Sequence, residues 1–422
     1  MPVAPSVAPV TSQVQTFCSA ILGGAFPNGN PNVPLCGIQP SSVASPVGSI
    51  PGVADIEPYR IDVPDDVLAD LTERLRRTRF PDEVPGIGWK HGLPLGYLQE
   101  IVRYWLEDYD WRVHEARLNR YQQFTTTVEG QRIHFLHVRS RHQTAIPLFL
   151  IHGWPGSLVE FLDVIGPLAG PDDPADAFHL VVPSLPGYGF SGTVTETGWT
   201  PRRIAAAFGQ IADRLGYQRY GVQGGDWGAL VSYNMAELRP DRALGLHVNL
   251  MNVPPPAGEA AAPPTAWARR VGAAGGGYEA IQGTRPQTIG YLLDDSPAGL
   301  AAWIIEKFHE WTEGPDERCG LSMDLMLTNV MLYWVNRTGA SSSRLYWERR
   351  QHMETTVPQR RVTVPTGVAN FPGELTRSHR ASAERYFNIV RWTELPRGGH
   401  FPSMEVPDLF VGDVREFFRP LR

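Results

Sequence analysis

The chain has 422 residues, 42% of them hydrophobic and 19% charged, and a net charge of −6. Its 42 glycines and 38 prolines fall below the roughly 25–30% share that marks low-complexity chains, so a disordered or collagen-like protein is excluded. The length allows two or three domains at about 150 residues each, and the negative balance offers no field for a phosphate backbone, which argues against nucleic acid as a partner.

Residues 1–54 contain no Asp, Glu, Lys or Arg and nine prolines. They read as an uncharged Pro-rich arm. The apolar stretch at 16–26 has no basic residue before it and is too short to span a bilayer. No membrane anchor is evident. Three cysteines, Cys18, Cys36 and Cys319, make no disulfide framework, although Cys18 and Cys36 are able to pair in an oxidising compartment. A cytoplasmic location is expected, with secretion as the alternative. Only two of the 38 basic side chains are lysines, Lys90 and Lys307, a skew that reads as coding bias.

Charge begins at Asp55. Asp65 and Asp66, followed by Val67, Leu68, Leu71 and Leu75, predict an N-capped amphipathic helix, and Leu98, Ile101, Val102, Trp105 and Leu106 repeat the helical period. Residues 55–123 therefore read as a helical module. Short strands are expected at 124–128, 133–138 and 146–151, the first two joined by a turn at Glu129-Gly130. Strand and helix then alternate: strand at 179–183, helix at 201–215, strand at 220–223, helix at 229–238, strand at 245–249. That alternation means a mostly parallel sheet between helices, an α/β fold whose first half spans 124–253. Residues 254–355 break the pattern with Pro- and Gly-rich stretches and helical runs, and read as a lid inserted over the sheet. Strands at 362–368 and 387–392 and a last helix at 407–418 complete the core in 356–422. A homodimer is compatible with the sequence.

Gly224-Gly225-Asp226-Trp227-Gly228 sits between an expected strand and helix. A strand-to-helix elbow needs small residues two before and two after its apex, where chains approach closely. The apex, usually Ser, is Asp226, and the helix N-terminus favours its negative charge. An aspartate that merely caps the helix is the structural alternative. His152-Gly153-Trp154-Pro155-Gly156 follows the apolar strand at 146–151. A sharp turn there aims a free N–H above the sheet, so the backbone nitrogens of Trp154 and Trp227 are the expected oxyanion donors. His152 reads as structural. Gly398-Gly399-His400 places an imidazole after the last strand, fit for a general base near neutral pH. The order nucleophile, acid, base calls for a carboxylate between them. Glu374, after the turn at Phe371-Pro372-Gly373, stands at a strand's carboxyl end, with Glu384 and Glu394 as competitors. No C-x-x-C or H-E-x-x-H spacing supports a metal site, and the chemistry needs no cofactor.

Together these residues resemble the α/β-hydrolase superfamily, and more closely its branch of microsomal and juvenile-hormone epoxide hydrolases. The similarity also runs through Ile56-Glu57-Pro58-Tyr59-Arg60-Ile61, Arg76-Arg77-Thr78-Arg79-Phe80-Pro81, Tyr109-Asp110-Trp111-Arg112, Glu115-Ala116-Arg117-Leu118-Asn119 and Phe124-Thr125-Thr126. It covers about residues 55–420 and leaves out the arm. The resemblance implies an α/β-hydrolase fold, an epoxide-hydrolase-type N-terminal module, and a role for two lid tyrosines. Gly277-Tyr278 and Arg344-Leu345-Tyr346-Trp347-Glu348 stand where that family places its epoxide-binding tyrosines. Tyrosine is one of the few neutral side chains able to donate to an epoxide oxygen.

The expected reaction opens an apolar epoxide on Asp226 to an alkyl ester, which water activated by His400 and Glu374 then hydrolyses to a diol. A haloalkane dehalogenase-like hydrolase, with Trp227 turned to halide, and a non-catalytic ligand-binding protein on the same scaffold are the alternatives. A serine esterase is disfavoured by Asp at the apex. Trp267, Trp303, Trp311, Met331, Tyr333 and Trp334 are expected to make the lid's pocket apolar.

Overall fold

The computed structural model describes residues 55–256, 258–271, 275–313, 320–353 and 355–422. The arm at 1–54 and the three cysteines lie outside these residues. The chain enters by strand β1 (Glu57–Tyr59) and three helices, α1 (Asp65–Arg76), α2 (Leu95–Glu107) and α3 (Trp111–Leu118). The first differs from expectation in one respect. Asp65 and Asp66 lie inside the first turn of α1, and the residue before it, Pro64, provides no side-chain cap. The two carboxylates act there on the helix dipole.

Strands β2 (Gln123–Val128) and β3 (Gln131–Val138) form a hairpin. Its turn residues Glu129 and Gly130 both have positive φ, 50° and 80°, which matches the right-handed twist of the strands it joins. Strands β4 (Ile146–Ile151), β5 (Phe178–Pro183), β6 (Tyr220–Gly224), β7 (Ala243–Val248), β8 (Val362–Asn370) and β9 (Phe387–Glu394) follow. The nine strands among the described residues form one sheet in the order β1-β2-β3-β5-β4-β6-β7-β8-β9. The β1, β2 and β3 pairings are antiparallel, and every pairing from β5 to β9 is parallel. The first strand of the N-terminal segment thus joins the edge of the main sheet.

Helices α4 (Leu162–Ala169), α5 (Pro201–Arg214) and α6 (Asp226–Leu238) are the crossovers that parallel pairing demands. Between β7 and β8 come α7 (Ala266–Val271), α8 (Gly277–Gln282), α9 (Pro286–Asp295), α10 (Pro297–Trp311), α11 (Met323–Asn336) and α12 (Gly339–Gln351), and the chain ends through α13 (Arg380–Glu384), α14 (Pro402–Glu405) and α15 (Pro407–Phe418). Glycines in three adjacent strands admit α15 to the sheet. A Cβ on Gly221 would meet the Phe418 ring at 2.5 Å, and one on Gly367 the Phe417 ring at 2.6 Å. The N-terminal helices brace the inserted block: the Tyr104 hydroxyl donates to Asp324 Oδ1 at 2.8 Å, and Arg74 reaches Asp295.

Candidate active site

Helix α6 begins at Asp226, three residues earlier than its hydrophobic period suggests, directly after β6 and Gly225. Asp226 has φ 48°, a left-handed conformation that a non-glycine residue holds only when its surroundings enforce it. The enforcement is visible. A Cβ on Gly224 would lie 2.3 Å from the Gly228 carbonyl carbon, and one on Gly228 would lie 1.9 Å from the Ile151 oxygen. The elbow closes only with glycine at both places, and it closes against the end of β4.

The turn after β4 presses on the same carboxylate. A Cβ on Gly153 would sit 2.3 Å from Asp226 Cβ, and the Trp154 N–H donates to Asp226 Oδ1 at 2.9 Å. Trp227 is the second residue of α6, so its N–H is among those that no carbonyl of the helix takes. His152 is fully buried, its Nε2 accepts from the Leu185 N–H at 3.1 Å, and burial pushes it down to about 4. It is a neutral strut of the turn.

Facing the other carboxylate oxygen is His400, whose Nε2 lies 3.5 Å from Asp226 Oδ2. Its Nδ1 donates to Glu374 Oε1 at 2.6 Å, and both residues are buried. Glu384 instead pairs with Arg380 on α13, and Glu394 accepts from Trp392 Nε1, so neither competitor reaches the imidazole. Burial alone would strip the proton from His400. The Glu374 charge and the contacts with Asp226 overcome that and hold its proton affinity well above the ordinary value. The loop that carries it is fixed by backbone bonds: the His400 N–H donates to the Trp311 carbonyl at 2.9 Å, and Glu405 accepts from the N–H groups of Glu313, Gly399 and Phe401.

Tyr278 on α8 and Tyr346 on α12 converge on the same space. The Tyr278 ring stacks on Trp154 at 5.0 Å and 6°, and the Tyr346 ring stands edge-on to Trp154 at 5.7 Å and to Trp227 at 4.7 Å. The two phenol rings are 5.7 Å apart at 84°. Burial, then the nearby Asp226 charge, raise the proton affinity of Tyr278; burial, Tyr278 and Asp226 do the same for Tyr346. The Tyr346 hydroxyl, the Trp227 indole N–H and His400 Nε2 are buried and lack a hydrogen bond of good geometry, His400 Nε2 having only the Asp226 carboxylate at 3.5 Å. Buried polar atoms without partners are costly in a finished core and normal where a ligand completes them.

The inserted block is less of a pocket wall than its composition suggests. Met331 and Tyr333 are core residues, the Tyr333 hydroxyl bonding the Gly156 carbonyl at 2.7 Å. Trp303 bonds Gln282, and Trp334 lies under Arg74. Of the expected aromatics, Trp311 reaches the site, with its ring 5.1 Å from His400 and 5.2 Å from Tyr278. A cleft of about 260 Å³ opens beside Trp227 and Tyr346, with Glu279, Arg349, Arg350 and Met353 at its rim. One site residue escaped the sequence reading. Glu160 approaches the Gly153 N–H at 3.4 Å, and burial pushes its carboxyl up to about 8. The trace it leaves in the sequence is Gly156, where a Cβ would lie 1.7 Å from Glu160 Oε1.

A nucleophile elbow at the carboxyl end of a parallel sheet, followed in chain order by an acid and a histidine bonded to it, defines an α/β-hydrolase. The comparisons with known proteins agree and go further. Residues 56–161 match the family described as epoxide hydrolase N terminus, and 146–276 match the alpha/beta hydrolase fold. The chain is 35% identical over 415 residues to epoxide hydrolase 1 of Sus scrofa, covering 88% of this chain and 90% of that one. The juvenile hormone epoxide hydrolase structure from the silkworm Bombyx mori superposes with a TM-score of 0.77 at 32% identity, covering 87% and 95% of the two chains. The Aspergillus niger epoxide hydrolase structure gives 0.78 at 31%, covering 88% and 97%. The chain belongs to the epoxide hydrolases of the α/β-hydrolase fold and is an epoxide-hydrolysing enzyme. The dehalogenase-like and non-catalytic alternatives are not favoured.

Proposed function

We propose that the enzyme opens an apolar epoxide on the Asp226 carboxylate and releases the vicinal diol with water, under a lid formed by residues 254–355. The observation that carries this reading is the clamping of Asp226, with Oδ1 on the Trp154 N–H and Oδ2 facing His400 Nε2.

In the first half of the cycle an Asp226 oxygen bonds to a ring carbon and the strained C–O bond breaks. The departing oxygen takes a proton from a phenol, Tyr278 or Tyr346. A carboxylate suits this electrophile because it displaces at saturated carbon and still leaves an ester that water cleaves. Forming the ester also removes the Asp226 charge. One of the influences that hold the proton on His400 disappears with it, so the imidazolium releases that proton to solvent, to be regained when the Asp226 carboxylate is free again, and the neutral ring serves as the base.

In the second half His400, oriented by Glu374, takes a proton from water, and the hydroxide adds to Asp226 Cγ. The N–H groups of Trp154 and Trp227 receive the oxyanion, a contribution of about 3–4 kcal/mol for a single donor. The tetrahedral centre collapses, the alcohol leaving Cγ takes the imidazolium proton, and the proton left on the carboxyl restores the phenol. Protein groups and one water complete the balance.

Among the described residues no helix is long and apolar enough to cross a membrane. A cytoplasmic location is our reading, on the sparse cysteine usage of the chain. One turnover in heavy-oxygen water, followed by peptide mass spectrometry, tests the cycle. The label is expected first in the peptide bearing Asp226, and its appearance only in the diol would overturn the ester.

A further inference from the structure

Helix α10 presents Trp303, Lys307 and Trp311 at intervals of four, a single stripe along one face. Each of the three meets α8. The Trp303 indole donates to Gln282 Oε1 at 3.1 Å, the Trp311 ring lies 5.2 Å from that of Tyr278, and the Lys307 ammonium stands over the Tyr278 ring, 5.3 Å from its centroid. Lys307 is 3% exposed. It is bonded to Glu306 and, at 2.8 Å, to Glu310.

An apolar residue would fill this place at no electrostatic cost, whereas burying an ammonium costs several kcal/mol unless partners compensate. This chain has only two lysines. One of them is buried, and its charge meets the ring of a tyrosine at the reacting centre. The paired carboxylates oppose that charge at the ring only in part. Their side chains are 24% and 20% exposed against 4% for Lys307, so water screens them more.

We propose that Lys307 is a positioning residue for epoxide opening: its ammonium holds the Tyr278 ring in place and stabilises the negative charge that develops on it as its proton passes to the epoxide oxygen. The inference rests on the role proposed above for Tyr278. A cation over an aromatic face is attracted to the electron-rich ring, and the attraction grows as the phenol becomes phenolate. Asp226 loses its charge in the same step, so the charge moves from the elbow toward Lys307. A lysine suits the place because a compact ammonium is able to reach two carboxylates and a ring together, where a guanidinium fork is planar and wider.

The test is single-turnover kinetics with styrene oxide, following tryptophan fluorescence as the ester forms and decays. Lys307→Met is expected to slow ester formation about tenfold, equivalent to about 1.4 kcal/mol of barrier, and to leave ester hydrolysis within about twofold. In a Tyr278→Phe background the same substitution is expected to have no further effect on formation. The proposal is overturned if Lys307→Met leaves formation unchanged, slows both steps equally, or acts with the same factor when Tyr278 is Phe. Should Tyr278→Phe alone leave formation unchanged, the role of the tyrosine fails first, which separates the two readings. If Lys307→Met does not fold, Glu310→Gln carries the test. Removing that opposing charge is expected to speed ester formation, and a slower or unchanged rate overturns the proposal.

Discussion

The elbow at 224–228 and the helices between β7 and β8 deliver side chains to the same few ångströms by different means. At the elbow the backbone does the placing. Gly224, Gly228 and Gly153 each stand where a single added carbon would collide with the main chain or with Asp226, so the Asp226 carboxylate has one position. In the helical block side chains place one another. Tyr278 sits on a helix of six residues and is located by Trp154, Trp311 and Lys307. Asp226 is therefore held by the steric closure of the backbone around it, and the two phenols only as long as their packing lasts.

If that contrast holds, the largest loss comes from the elbow. Asp226→Asn keeps the fold and is expected to lower turnover by at least about 10⁴-fold, read as diol formed per minute after excluding conversion back to Asp by mass spectrometry. Full activity in the intact Asn protein would sink the nucleophile. His400→Gln is expected to break the cycle halfway. Attack continues and hydrolysis stops, so the intact mass should rise by that of the substrate; substrate binding with no adduct would count against the assignment. Next come the phenols. Tyr278→Phe and Tyr346→Phe together remove both proton donors and are expected to cost about 10²–10⁴-fold in ester formation, with each single change costing less because the second phenol remains. A double variant as fast as either single one would mean that only one phenol donates.

The same contrast explains what the sequence disclosed. Backbone constraint writes itself as glycine at fixed spacing, which is why Asp226, the Trp154 turn and the His400 loop stand out in 422 residues. Glu374 followed from chain order and from its place after β8, and its competitors needed coordinates to separate. Packing leaves no such spacing. Tyr278 and Tyr346 are two of 14 tyrosines and came forward only through family resemblance. The aromatic lid residues are expected at a pocket from their apolar character, but Met331 and Tyr333 are core, because burial depends on partners far away in sequence. The hydrophobic period of α6 begins only at Ala229, three residues after its start, because the elbow makes Asp226 its first residue. The scarcity of lysine reads as coding bias, and nothing local to Lys307 says which tyrosine it meets.

The smallest expected effect concerns Glu160, the carboxyl that fills the space left by Gly156. Burial, more than any neighbour, raises its proton affinity; the Asp226 charge adds to this and His400 opposes it, leaving a value of about 8 against an ordinary 4.5. Between those two values the folded protein holds a proton that the unfolded chain has released, so stability falls as pH rises through the window. Glu405, raised by burial to about 7, acts in the same direction over the lower part of it. His400, with its raised proton affinity, also stabilises less as pH climbs from the ordinary histidine value toward its own folded value, and it is present in wild type and variant alike. Glu160→Gln keeps the shape and removes one titration. The melting temperature of the variant should therefore fall less steeply than that of the wild type from pH 5 to pH 8, a difference of about a few degrees. Parallel slopes would mean that Glu160 is ionised and well hydrated at neutral pH, and the turn after β4 would then carry a second charge beside the nucleophile instead of a neutral acid.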